Sequence, residues 1–296
     1  MKRIWICLLA LLMTFSMTAI FTGCGIFADN TENESNAGEE AVTSDAVTLT
    51  FTGTDYTISD ADACTVEGNR IVLTKPRIYR ISGELSDGTI VVRVAKTDKV
   101  TLALDGLKAS CSSFSVIYVE SADKVTITTM TGTENTLSDG SEYAYGSSED
   151  TSQNACIFSK DDLMFNGNGT LTVTGNYNHA VKCNDDLEIK SGKLIISAVG
   201  NALRGNDSVK IDGGVIDIRN CKDGIKVSTT EATKEGKGFV TITGGSITIV
   251  SSDDAIQSTI GVSITGGLVA VSAQGDVVNC EGTVSVADGC LVQLDD

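Results

Sequence analysis

The stretch that decides the fold is "GNALRGNDSVKIDGGVIDIRNCKDGIKVS", residues 200–228, because it contains its own opening twice. "GNALRGN" begins at Gly200 and "KDGIKVS" begins 22 residues later, at Lys222. Each opening is a small polar corner, then an aliphatic residue (Leu203, Ile225), then a long polar one (Arg204, Lys226). Between the openings lie an apolar pair, Val209 and Ile211, a turn at Gly213 and Gly214, and a second pair, Ile216 and Ile218. Alternation with a period of two marks each piece as a half-buried strand.

Worn copies flank this unit. "NHAVKCN" begins at Asn178, "DDAIQST" at Asp253 and "GDVVNCE" at Gly275. The corner residues Ala155, His179, Asn201, Asp223, Asp254 and Asp276 are 24, 22, 22, 31 and 22 residues apart. The long interval holds an insertion, "TTEATKEGKG", at residues 229–238. One unit of three short strands cannot bury its apolar face alone. Stacking units at about 4.8 Å buries that face continuously and pairs the backbone. The reading is an all-β, single-stranded parallel β-helix with about 22 residues per coil. A sandwich of antiparallel hairpins needs no such constant period.

Composition narrows the function. The chain carries 39 Asp plus Glu against 22 Lys plus Arg, a net charge of −17, which repels nucleic acid and suits divalent cations. Lys2 and Arg3 precede an apolar run over residues 4–21, and "FTGC" ends at Cys24. That order is a secretory signal, and the small residues before Cys24 read as a lipoprotein cleavage and acylation site. Phe21 stands where Leu is more usual, so a retained membrane anchor is the alternative. The expected parts are a signal at 1–23, a flexible acidic tether at 24–46, an N-terminal β cap with early coils at 47–101, and the helix proper at 102–296. The tether has almost no bulky apolar residues to order it. This places the protein on the extracellular side of the membrane, lipid-anchored. Beyond Cys24 seven cysteines remain with wide spacings and no CxxC pair; they read as small core residues, with one or two disulfides as the alternative.

Four motifs carry a resemblance: "GTENTLSDG" (132–140), "FSKDDLMFNGNGTLTVTGNYN" (158–178), "DGIK" (223–226) and "EGKGFVTITGGSITI" (235–249). With them the chain resembles secreted, often lipid-anchored bacterial carbohydrate-binding β-helix proteins. The resemblance implies a calcium-stabilised, right-handed β-helix, related in shape to polysaccharide lyases, that binds plant-type or acidic polysaccharide. It implies no established catalysis. The family pattern has Asp-Gly at the corners, whereas this chain has His179-Ala180 and Asn201-Ala202 at two of them.

Stacking turns the repeat into columns, and the columns give the candidate residues. Val181, Leu203, Ile225, Ile256 and Val278 form a core column; Lys182, Arg204, Lys226, Gln257 and Asn279 form a polar outer one. Carboxylates recur at Asp161, Asp162, Asp185, Asp186 and Asp207, and again at Asp223, Asp253 and Asp254. Two carboxylates about 5 Å apart repel by about 1 kcal/mol in water and about 3 kcal/mol at an effective dielectric of 20. Ca²⁺, with six to eight oxygen ligands, would relieve both groups. The bland account is that Asp simply suits turns. Ligand contacts are expected from Lys182, Arg204 and Lys226 to uronate carboxylates, and from Tyr143, Tyr145 and Tyr177, because the sole tryptophan, Trp5, leaves with the signal. His179 reads as a turn residue. Two other functions fit the same residues: a calcium-dependent lyase using Lys182 or Lys226 as base, and a surface adhesin or spacer with no glycan ligand.

Overall fold

A computed structural model describes residues 45–145, 152–229 and 235–294; the signal, Cys24 and most of the acidic tether lie outside them. Among the described residues the only helical element is a single 3-10 turn, Ala61–Ala63. The chain is a solenoid of parallel strands, arranged in an eighteen-stranded and a ten-stranded sheet.

Register follows the repeat. In the ten-stranded sheet Val181 pairs with Leu203, Leu203 with Ile225, Ile225 with Ile256 and Ile256 with Val278. The larger sheet sets Leu187, Val209, Val240, Val262 and Val284 in line, and Leu194, Ile216, Ile247 and Val269 in another line. These side chains are the core, and most are fully buried. A parallel sheet offers one apolar face per strand, so each line is buried by its neighbours above and below. The turns between the two strand pairs need a left-handed residue, and glycine supplies it at Gly192, Gly214, Gly245, Gly267 and Gly289.

The two ends differ. At the N-terminal end two antiparallel hairpins, Val47–Gly53 with Asp55–Ile58 and Cys64–Glu67 with Arg70–Leu73, close the sheets. Tyr79 is buried there and its hydroxyl donates to Ala63 O at 3.1 Å and Lys75 O at 2.9 Å. At the other end Val284, Val286 and Val292 remain exposed. All seven described cysteines are unpaired thiols; Cys111, Cys156, Cys183 and Cys221 are buried.

One buried residue breaks the apolar rule. Asn135 occupies the line of Leu171 and Leu194, yet is 1 % exposed. Its Oδ1 accepts the Leu107 N–H at 2.8 Å, and its Nδ2 donates to Thr170 O and Thr133 Oγ1, both at 3.1 Å. Asn135→Leu extends the apolar line but removes the acceptor of the Leu107 N–H and the side-chain donor to Thr170 O. The expected cost is about 2–4 kcal/mol, read as a lower unfolding midpoint in denaturant.

Candidate functional site

The outer face of the ten-stranded sheet carries one continuous row of side chains. Tyr118, Phe158, Lys182, Arg204, Lys226, Gln257 and Asn279 stand in register on successive strands. The row changes character along its length. Tyr118 and Phe158 stack at 5.9 Å and belong to a small second apolar cluster with Val72, Val91 and Ala155. Lys182 lies over the Phe158 ring at 5.2 Å, donates to Ser152 O at 3.2 Å and is only 9 % exposed. Arg204 is half-buried and donates from Nη2 to Ser228 Oγ at 3.1 Å. Lys226 Nζ donates to Asp223 Oδ2 at 2.9 Å.

The corner column runs beside this row. Three corner side chains accept the N–H of the next corner: Nδ1 of His179 from Asn201 at 2.9 Å, Asp223 Oδ1 from Asp254 at 3.4 Å, Asp254 Oδ1 from Asp276 at 2.9 Å. His179 therefore performs the backbone task that Asp performs elsewhere, without the charge. Burial, then the charges of Arg204, Lys182 and Lys226, push its imidazole down to about 3. Gly200 lets this corner close, since a Cβ there would collide with Asn178 Oδ1 and His179 Nδ1.

On the far side of the row the strands end in a shallow polar groove of about 290 Å³, lined by Asn184, Asp185, Asn206, Asp207, Ser228, Thr229 and Lys237. A smaller one of about 160 Å³ adjoins it at Ser228 and reaches Lys226, Gln257 and Asn279. Amides, hydroxyls and charges in a concave strip suit a hydroxylated ligand. Asn184, Asn206, Ser228 and Thr229 carry no charge, so a pattern of charges in the sequence does not reveal them. Their signal was the same 22-residue recurrence, masked because Asn and Ser are ordinary turn residues.

The eight carboxylates expected to hold metal divide in two. Among the described residues Asp223, Asp253 and Asp254 bring ligand atoms within 4.8 Å of one another. Asp161, Asp162, Asp185, Asp186 and Asp207 do not gather in that way. Asp161 pairs with Lys96, Asp162 with Lys124 at 3.6 Å, and Asp207 with Lys237, while Asp186 accepts Ser208 Oγ at 2.6 Å. Burial and the neighbouring Asp207, Asp161 and Asp162 raise the Asp185 carboxyl above its usual range. The three tyrosines do come together: Tyr143 stacks on Tyr177 at 4.2 Å and lies 6.0 Å from Tyr145. They use much of themselves internally. The Tyr143 hydroxyl donates to Asp139 Oδ2 at 2.7 Å and Ala155 O at 2.9 Å, the Tyr145 hydroxyl donates to Gln153 O, and Phe114 packs on both rings.

Comparison with known proteins adds a family. The profile of a family described as carbohydrate-binding domain-containing protein matches residues 65–290. A carbohydrate-binding domain-containing protein of Acetivibrio thermocellus is 38% identical over 248 residues, covering 84% of this chain and 86% of that protein. A solved structure described as the polysaccharide lyase-like protein from C. thermocellum, a gadolinium derivative, superposes with a TM-score of 0.81 at 40% identity. That match covers 84% of this chain and 100% of the solved one.

Proposed function

Since this chain belongs to the carbohydrate-binding domain-containing protein family, we propose that it is a calcium-stabilised, lipid-anchored cell-surface protein that binds acidic or plant cell-wall polysaccharide without cleaving it. The observation that carries this reading is the row Lys182–Arg204–Lys226 with the polar groove beside it. The row repeats at the interstrand spacing, and the groove supplies hydroxyl and amide partners along the same direction. A cationic row on a protein of net charge −17 is a local exception, and it favours an anionic sugar over a neutral one. The coil itself is read as a right-handed single-stranded β-helix of about 22 residues.

Calcium is assigned to Asp223, Asp253 and Asp254. Asp223 and Asp254 are 1 % and 5 % exposed, and Lys226 and Lys222 offset only part of the three charges. The residues therefore fit a hard divalent cation, which would tie two successive coils together at the corner. Lipid attachment through Cys24 would hold the solenoid at the membrane, with the residues after it as spacer.

Non-catalytic binding is preferred to a lyase because the nominated bases are engaged. The Lys226 ammonium donates to Asp223, and Lys182 sits against Phe158 and Ser152 O, geometries that suit cations rather than a lysine with an open lone pair. Binding to immobilised polygalacturonate, cellulose and a neutral glucan tests the whole reading. Retention on polygalacturonate is expected, weakened about tenfold or more after chelation and washing. Undiminished retention after chelation removes calcium from the account. Growth of unsaturated-uronate absorbance makes the protein an enzyme, and a blank on every glycan makes it an adhesin or spacer.

A further inference from the structure

The corner column and the outer row obey one rule at two places and break it at a third. Lys226 donates to Asp223 Oδ2, and Asn279 Nδ2 donates to Asp254 Oδ2 at 2.7 Å. In both cases the corner supplies an acceptor and the row supplies a donor. Arg204 and His179 are 25 residues apart, as Asn279 and Asp254 are, and Arg204 Nη1 lies 3.4 Å from His179 Nε2. Here the rule fails. Nδ1 of this ring already accepts the Asn201 N–H, so in the neutral imidazole the proton sits on Nε2. Two donors therefore face each other with no oxygen between them.

Two more donors lie on the same residues. Nε of Arg204 and Nδ2 of Asn201 are buried and have no hydrogen-bond partner. Asn201 is 3 % exposed and His179 is 4 % exposed. Arg204 makes no direct ion pair among the described residues: Asp223 acts on it only through longer-range attraction, and its hydrogen-bond acceptor is Ser228 Oγ. Buried polar groups are almost always satisfied, and each one left open costs about 1–3 kcal/mol. Donors here outnumber acceptors, since Ser228 Oγ is the one acceptor the Arg204 guanidinium meets among the described residues.

We propose that His179, Asn201 and Arg204 form a carboxylate-binding niche. A bound carboxylate supplies from outside the oxygens that Asp223 and Asp254 supply from within at the other corners. Its lone pairs accept from Nε2–H of His179, from the Arg204 guanidinium and from Nδ2 of Asn201. Lys226, already matched by Asp223, stands outside the niche. The identification of the carboxylate as that of a uronate residue rests on the acidic-glycan reading above; the donor geometry does not.

The chain has one histidine, so its imidazole gives a single, assignable NMR signal. Acetate and galacturonate, titrated at constant ionic strength, should each move the His179 signal saturably, while galactose should not. His179→Asp restores the pattern seen at Asp254 and neutralises Arg204 internally. It should keep or raise the unfolding midpoint and lower polygalacturonate affinity about 10- to 100-fold. Arg204→Gln, which keeps the fold's outer row polar, should lower it similarly and covers the case where the first variant does not fold. Absence of any carboxylate-dependent shift overturns the niche. Equal polygalacturonate affinity in wild type and His179→Asp also overturns it, but leaves the acidic-glycan reading standing. Saturable shifts with acetate and galacturonate, without retention on polygalacturonate, support the niche and overturn that reading instead.

Discussion

Replacing Ile225 by aspartate should unfold the C-terminal coils and leave the N-terminal ones folded. Ile225 is fully buried between Leu203 and Ile256 in the core column. A carboxyl there must stay protonated, and holding it neutral at pH 7 costs about 4 kcal/mol, the distance from its free value near 3.9 at about 1.4 kcal/mol per unit. The lost burial of the isoleucine adds about 2–3 kcal/mol. Such a sum rivals the whole stability of an ordinary domain, about 5–15 kcal/mol. In a solenoid, however, each coil touches only its neighbours, so the loss is spent locally. On the N-terminal side stand two hairpins and a second apolar cluster; on the other side the coils run down to exposed Val284 and Val286. Hydrogen exchange should therefore stay slow over residues 47–198 and become fast over residues 240–294. Lys226→Gln, on the same strand but facing outward, should leave both regions protected. Uniform loss of protection along the chain would show that the coils unfold as one unit.

That local character explains why so much of the fold was legible. A 22-residue period fixes register, and register fixes facing, so Val181, Leu203, Ile225 and Ile256 could be aligned from the text alone. Residues outside the period were not legible. Lys96 and Lys124 reach Asp161 and Asp162 from coils whose repeat is worn, and Lys237 reaches Asp207 from the insertion. A column of aspartates seen in sequence therefore looked barer than it is. The N-terminal hairpins show the opposite case. Residues 47–101 read as a β cap with early coils, but the left-handed Gly53 and Gly68 that reverse the chain into its hairpins lie outside the repeat. Asn135 is not legible in sequence because an amide in an apolar line makes sense only once its bonds to Leu107 N and Thr170 O are seen. In sequence His179 reads as a turn residue that lacks the usual charge. Its place in the column shows what the change does: it keeps the backbone bond and turns the outward atom from acceptor to donor.

The same histidine should dominate the acid limb of stability. Burial, followed by Arg204, Lys182 and Lys226, pushes the folded-state imidazole down to about 3, against 6.5 for the free group. Above pH 6.5 it is neutral in both folded and unfolded chains and contributes no slope. Below that, the unfolded chain binds a proton that the folded chain refuses, and stability falls by about 1.4 kcal/mol per pH unit. The loss continues until pH nears 3, roughly 4–5 kcal/mol in all. His179→Asn offers an amide oxygen as acceptor for the Asn201 N–H but does not titrate. The difference in unfolding free energy between wild type and variant, from denaturant titrations at pH 7, 5 and 4, should shift steadily towards the variant. Asp139, Asp162 and Asp185, whose carboxyls burial raises, act in the opposite direction, but they are present in both proteins and cancel in the difference. A difference independent of pH would mean that the imidazole is not held neutral inside the corner. Galacturonate offers an internal check, because a carboxylate beside Nε2 favours the imidazolium. With the ligand bound, the wild-type slope between pH 6.5 and 3 should flatten towards that of the variant.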